Sequence, residues 1–178
     1  FLLFQMLSER YGNKIIVTSE ISNLALKHNV ECKGGELIET EVGDRFVVNK
    51  TSSKKALFGA EPSGHFYFPN INNSMDGLVA LLFFIQLLEY YEDSLSSELS
   101  EVNHYQRIKR DISLNHIQEL DIDCIRTSAA LLINSEKEKL VVRHSMWDPV
   151  LRVYYDYQEE NNFLNIEKEL KLLIKPNK

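Results

Sequence analysis

At 178 residues, 44% of them hydrophobic and 26% charged, the chain has enough apolar content for one large or two small buried cores. A formal charge of −6 excludes a general nucleic-acid binder, which needs basic surface for the phosphate backbone. No run approaches the ~18 apolar residues of a membrane span, so neither nucleic acid nor membrane is expected as a partner.

The first 11 residues carry apolar side chains at helical spacing, and Gly12 is a natural stop. Lys14–Thr18 is a β-branched run of the kind found in buried strands. Ser19 reads as an N-cap for a helix over Glu20–His28, and Val30–Cys32 as a short strand ending at Lys33-Gly34-Gly35-Glu36. Leu37–Val42 is a further run, which leads to Gly43-Asp44-Arg45 and Phe46-Val47-Val48. Ala56–Phe58 reads as a strand, followed by the loop Gly59–His65 and aromatic Phe66–Phe68. Ser74 or Asp76 is placed to cap a helix over Gly77–Tyr91, which is apolar on nearly every face and so expected to be central. The polar stretch Glu92–Val102 marks a domain boundary near residue 100.

Beyond it, Asp121–Arg126 and Ala129–Ile133 read as strands and Leu140–Arg143 as a clear one. Val150–Tyr157 alternates, with Leu151, Val153 and Tyr155 on one face and Arg152, Tyr154 and Asp156 on the other. An amphipathic helix spans Phe163–Ile174 and Pro176 ends it. The expected fold class is a three-layer α/β domain followed by a small α+β domain, an antiparallel sheet covered by helices.

Two loops carry chemistry. In Gly59–His65, an extended backbone would turn Glu61, Ser63 and His65 the same way, and a carboxylate, a hydroxyl and an imidazole together suit the vicinal hydroxyls of a sugar. The same residues also suit a plain Pro-Gly turn with solvated side chains. In Arg143–Pro149, a guanidinium and the Ser145 hydroxyl in a tight turn suit a phosphate dianion, with Arg152 adding positive potential. That segment equally suits a surface turn whose Arg143 pairs with Asp148 or Glu138. The other titratable residues read as surface or packing groups: Glu39, Glu41 and Asp44 as a solvated strand edge, His28, His104 and His116 as scattered histidines, and Tyr154, Tyr155 and Tyr157 as sheet packing. No phosphate-binding glycine loop or nucleophile elbow is present. Cys32 and Cys124 lack the spacing of a zinc or disulfide framework and read as buried or incidental thiols of a reducing, cytoplasmic compartment. Phe1-Leu2-Leu3-Phe4 lacks the features of a signal peptide, and a first residue other than Met reads as the start of a fragment.

Taken together, the motifs resemble the α-D-phosphohexomutase superfamily of phosphomannomutases, phosphoglucomutases and phosphoglucosamine mutases. Gly59-Ala60-Glu61-Pro62-Ser63-Gly64-His65 is similar to its sugar-binding signature G-G-E-x-S-G-H, with Asp76-Gly77 opening the helix that follows. Thr18-Ser19 with Ser22–Leu26, and Val42–Val47, are similar to the same domain, and Arg143–Arg152 to its phosphate loop R-P-S-G-T-E-P-x-x-R-V. Met146-Trp147 stand where that loop has Gly-Thr, and Asp148 where it has Glu.

The resemblance implies a third domain over residues 1–100, N-terminally incomplete, and a fourth over 101–178. It implies that Glu61, Ser63, Gly64, His65 and Arg45 bind the sugar, and that Arg143, Ser145, Met146, Trp147 and Arg152 bind the non-reacting phosphate. It further implies a hexose phosphate substrate, a hexose 1,6-bisphosphate intermediate, and Mg²⁺ and a phosphoserine carried by N-terminal domains outside this chain, which alone would then be inactive. The Gly43-Asp44-Arg45 element leans towards phosphoglucosamine mutase. The altered phosphate loop keeps a second reading open, that of a degenerate sugar-phosphate-binding or scaffold module without catalysis.

Overall fold

The computed structural model describes residues 1–114, 121–145, 148–159 and 162–174, and they form two compact units, 1–103 and 104–178. In the first unit, helix α1 (Leu2–Tyr11) stops at Gly12 and strand β1 (Ile15–Ser19) follows. Ser19 is the last residue of that strand rather than a cap. Helix α2 (Leu24–Cys32) starts four residues later than the sequence suggests, because the Asn23 side-chain Oδ1 accepts the Ala25 amide and caps it. It also absorbs Val30–Cys32, read above as a strand: Val30 packs against the core cluster that includes Phe4.

Strand β2 (Glu36–Thr40) leads into helix α3 (Asp44–Ser53), which polar composition hid from the sequence reading. Only Val47 and Thr51, one turn apart, are buried on it. Strand β3 (Phe58–Ala60) and the two-residue β4 (Phe66–Tyr67) complete a sheet of order β2-β1-β3-β4, with β4 alone antiparallel.

Successive strand residues face opposite layers. Ile16 and Phe58 join the cluster built from α1, α2 and the helix α4 (Gly77–Tyr91). Val17 packs with Val47 of α3 on the other side. Gly59 also faces α3, where a Cβ would lie 2.3 Å from Thr51 Oγ1 and 2.7 Å from Val47 Cγ1. The arrangement is a three-layer α/β domain.

Helix α4 begins at the expected place: Asp76 accepts the amides of Leu78 and Val79. Its burial departs from expectation. Ala80, Phe83, Leu87 and Tyr91 form one buried stripe, whereas Leu78, Leu81, Leu82, Ile85 and Leu88 are exposed. Uniform apolarity therefore marks a helix with one packed face and one bare one. No described helix is long and apolar enough to cross a membrane. A 3₁₀ turn (Glu92–Ser94) and helix α5 (Leu95–Ser100) close the unit.

The second unit is a three-stranded antiparallel sheet, order β5-β7-β6, made by β5 (Gln106–Ser113), β6 (Lys139–His144) and β7 (Val150–Tyr157). Helices α6 (Ile122–Ala130) and α7 (Phe163–Leu173) complete it. The alternation read in β7 is present: Leu151, Val153 and Tyr155 join Ile125, Ile166 and Leu170 in one core. The segments at Asp121–Arg126 and Ala129–Ile133 are not strands. Asp121 caps α6 by accepting the Cys124 amide, and Ile125 and Ala129 face the core one turn apart. Both cysteines are exposed rather than buried. His116 and Pro176 lie outside the described residues.

The two faces of α4 should respond differently to mutation. Leu87→Ala is expected to cost about 2–5 kcal/mol, and Leu88→Gln, on the bare face, to stay within about 0.5 kcal/mol, both by urea denaturation. Equal losses at the two positions would show that both faces are packed.

Candidate functional site

The loops that follow β2 and β3 leave the same, carboxyl-terminal edge of the parallel strands, where open α/β sheets place their ligands. The β3–β4 connection is a tight turn, not the extended segment imagined from sequence. The Gly64 amide donates to the Glu61 carbonyl and the Glu61 amide to the His65 carbonyl, both at 2.9 Å. The turn separates the three residues expected to converge. Glu61 is buried at its base, while Ser63 and Gly64 sit exposed at its tip.

Glu61 and His65 nevertheless come together, through Asp44, which in sequence has the look of a solvated strand edge. Gly43 caps α3 with φ 136, a conformation that favours glycine, and its amide donates to Glu61 Oε1 at 3.1 Å. Asp44, the next residue, holds His65: Nδ1 and Oδ1 are 2.9 Å apart. An ionised carboxylate can only accept, so Nδ1 carries the proton.

One oxygen or nitrogen from each of Asp44, Glu61 and His65 falls within 4.8 Å of the others. The hydrogen bond to His65 holds the Asp44 carboxyl below its usual range. The same hydrogen bond, with the charges of Asp44 and Glu61, holds His65 protonated to higher pH than a free imidazole. Asp44 is therefore no solvated strand edge. The signal that could have found it was its place in Gly43-Asp44-Arg45, directly after a strand. Arg45 is exposed on the first turn of α3, its guanidinium 4.6 Å from the Phe46 ring centre.

Glu61 also borders a cavity of about 530 Å³ whose wall is mostly apolar, with Leu3, Ile16, Phe66, Phe84 and Leu95 among its residues. Its few polar lining residues include Thr18 and Ser22, both buried, and Thr18 Oγ1 donates to the Ala60 carbonyl at 2.8 Å.

In the second unit, Arg143 at the end of β6 stands directly opposite Arg152 of β7, which in turn stands opposite Asp111 of β5. Arg152 donates to Asp148 Oδ2 at 3.1 Å and lies 3.8 Å from Asp111 Oδ2. Neither Asp148 nor Glu138 takes Arg143, and among the described residues it has no ion pair. Ser145 is buried, its amide donating to the Val150 carbonyl and its hydroxyl 3.3 Å from the Asp148 amide. Met146 and Trp147 lie outside the described residues.

A family model described as phosphoglucomutase/phosphomannomutase, alpha/beta/alpha domain III, matches residues 1–105. The phosphoglucosamine mutase of Lawsonia intracellularis is 29% identical over 170 residues, which are 93% of this chain and 37% of that protein. The chain thus spans little more than a third of the length of the curated relatives it matches. Among solved structures, a phosphoglucomutase/phosphomannomutase family protein from Burkholderia thailandensis superposes with a TM-score of 0.74 at 20% identity, covering 97% of this chain and 40% of that one. An Aspergillus fumigatus N-acetylphosphoglucosamine mutase, solved in complex with GlcNAc-6P and magnesium, superposes with a TM-score of 0.68 at 12% identity over 98% of this chain and 45% of that one. At these identities the structural likeness establishes the fold.

The Asp44–His65 pair makes stability depend on pH in a definite sense. The raised His65 contributes fully below the usual imidazole value of 6.5 and its contribution fades as pH rises through the raised one. The lowered Asp44 contributes above its usual 3.8 and fades as pH falls through the lowered one. Both side chains are half exposed, so the coupling between Asp44→Asn and His65→Gln in a double-mutant cycle should be small, about 0.2–0.5 kcal/mol between roughly pH 5 and 6. It should fade as pH rises through the raised His65 titration and as pH falls through the lowered Asp44 titration. A coupling that stays constant through both titrations would mean the pair is not an ion pair in solution.

Proposed function

The chain belongs to the phosphoglucomutase/phosphomannomutase family, and on that premise we propose that it is part of a hexose-phosphate mutase, contributing substrate recognition without the reacting groups. The observation that carries this reading is the Glu61–His65 turn, anchored by Gly43 and Asp44 at the carboxyl edge of the sheet, inside the segment that matches the family's domain III. A buried carboxylate held by one backbone amide keeps lone pairs for two sugar hydroxyls. Ser63 and the open backbone at Gly64 lie beside it, and Arg45 adds a cation at the rim.

In the second unit, Arg143 and Ser145 are the groups assigned to the phosphate that is not being transferred, with Arg152 alongside. Like charges directly opposite on a sheet are destabilising. Arg152 is offset by Asp111 and Asp148, and a bound dianion would offset Arg143. Asp148 also approaches Ser145, so that hydroxyl must turn from one acceptor to another when phosphate binds.

The reaction assigned to the intact protein moves a phosphoryl group between the 1- and 6-positions of a hexose through a phosphoserine and a bisphosphate. Both reacting groups, and the Mg²⁺ that neutralises charge on the moving phosphoryl group, are assigned to parts of the protein outside these residues. The Asp44/Glu61/His65 cluster does not suit Mg²⁺, which needs near-octahedral oxygen ligands; here one carboxylate is committed to an imidazole and the other accepts an amide. A cytoplasmic location accords with this chemistry. The alternative of a non-catalytic sugar-phosphate-binding or scaffold module draws on one feature, Met146-Trp147 in place of the phosphate loop's Gly-Thr.

Calorimetric titration with glucosamine 6-phosphate and glucose 1,6-bisphosphate tests the reading. The 178-residue chain should bind both without interconverting hexose 1- and 6-phosphates. Glu61→Ala and Arg143→Ala should each weaken binding by roughly 10–100-fold, the loss of a charge-assisted contact. Turnover by the chain alone, or binding indifferent to both substitutions, would overturn it. Binding lost with Glu61→Ala but unmoved by Arg143→Ala would favour the non-catalytic module.

A further inference from the structure

Two carboxylates at a site meant for a phosphorylated sugar pose an electrostatic difficulty. Asp44 and Glu61 bring two negative charges within 4.8 Å of His65, and the ligand is itself an anion. What decides whether it can approach is the state of the imidazole. We propose that Asp44 is a positioning residue of the sugar loop, fixing the ring and the charge of His65 for a phosphorylated sugar. This rests on the reading of that loop as a hexose-phosphate site.

The geometry restricts His65 in two ways. The 2.9 Å hydrogen bond to Asp44 commits Nδ1 as a donor. Only Nε2 is then left for a ligand, as a donor when the ring is charged and as an acceptor when it is neutral. Asp44 is itself placed by the backbone: it is the first residue of α3, immediately after the glycine whose amide holds Glu61. One corner of the chain therefore sets both of the loop's recognition groups. The titratable groups facing His65 are Asp44 and Glu61, both of which favour the imidazolium; the nearby Arg45 guanidinium is stacked on Phe46.

With the ring charged, the cluster carries a net charge of −1 instead of −2, and Nε2–H donates to the incoming oxygen. Affinity for the anion should then fall as pH rises through the His65 titration. In Asp44→Asn the amide no longer favours the imidazolium, so the same fall should occur at lower pH. Asp44→Glu restores the carboxylate. A merely structural role for Asp44, such as favourable charge in the first turn of a helix, would leave the His65 titration where it was.

The experiment follows the His65 ring nitrogens by NMR from about pH 5 to 9 in the wild-type chain, Asp44→Asn and Asp44→Glu, and measures glucosamine 6-phosphate affinity over the same range. In Asp44→Asn the His65 midpoint should move down by roughly 0.2–0.4 in pH, the scale of an exposed pair. The midpoint of the affinity loss should move with it, and Asp44→Glu should recover most of both. An unmoved His65 midpoint overturns the proposal whether or not sugar binds. A shifted imidazole with an unshifted affinity profile overturns it too, since the ring would then be set without consequence for the ligand. A wild-type chain that takes up no sugar phosphate at any pH removes the hexose-phosphate reading and the positioning role together, and only that outcome touches the former.

Discussion

The candidate site depends on a missing side chain. At Gly59 the α3 residues Thr51 and Val47 come so close to β3 that a single carbon would overlap both. That contact lays α3 directly on the strand, and it sets where the first turn of α3 can be. The strand continues into Glu61 and the helix begins at Gly43-Asp44, so close packing of the two brings the ends together. The hydrogen bonds from Gly43 to Glu61 and from His65 to Asp44 are its local result. Packing in the sheet and geometry in the loop are one constraint here, because an ångström of helix displacement would exceed the tolerance of both hydrogen bonds.

The two units treat charge differently. The first gathers opposite signs in contact: two carboxylates, one imidazole able to become a cation, and a glycine amide at the positive end of a helix. Such a cluster offers acceptors and few free donors, which suits hydroxyl groups. The second sets two arginines opposite each other on adjacent strands and satisfies one of them with Asp111 and Asp148. The cationic potential left at Arg143 suits an anion.

Legibility from sequence followed the source of each signal. Helices and strands backed by tertiary packing were readable where their periodicity was strong: α1, β7, α7 and the start of α4 lie within a residue or two of their expected limits. Local capping chemistry was misassigned. Ser19 reads as a cap because it follows a β-branched run, but its backbone continues the strand, and the Asn23 side chain holds the free amide of α2. At α6 the isoleucines suggested strands, whereas the Asp121 side chain closes a first turn that turns Ile125 and Ala129 inward. Helix α3 was invisible because its residues are poor helix formers on average and its existence depends on two buried positions facing Gly59.

The composition of the sugar loop was legible and its shape was not. Glu61, Ser63 and His65 alternate, and alternation implies convergence only on an extended backbone. The structure folds that stretch into a turn, which buries Glu61, exposes Ser63 and would leave His65 without direction. Convergence is recovered through Asp44, a residue that is 17 positions from Glu61 in sequence and has the composition of an ordinary strand edge. Long-range pairing of this kind leaves no periodic trace. What it does leave is a glycine with positive φ immediately before a carboxylate, at the end of a strand whose parallel neighbour carries the recognition loop. The corner Gly43-Asp44 thus belongs to the site for the same reason that Gly59 belongs to the core: each glycine admits an approach that places a side chain from another element.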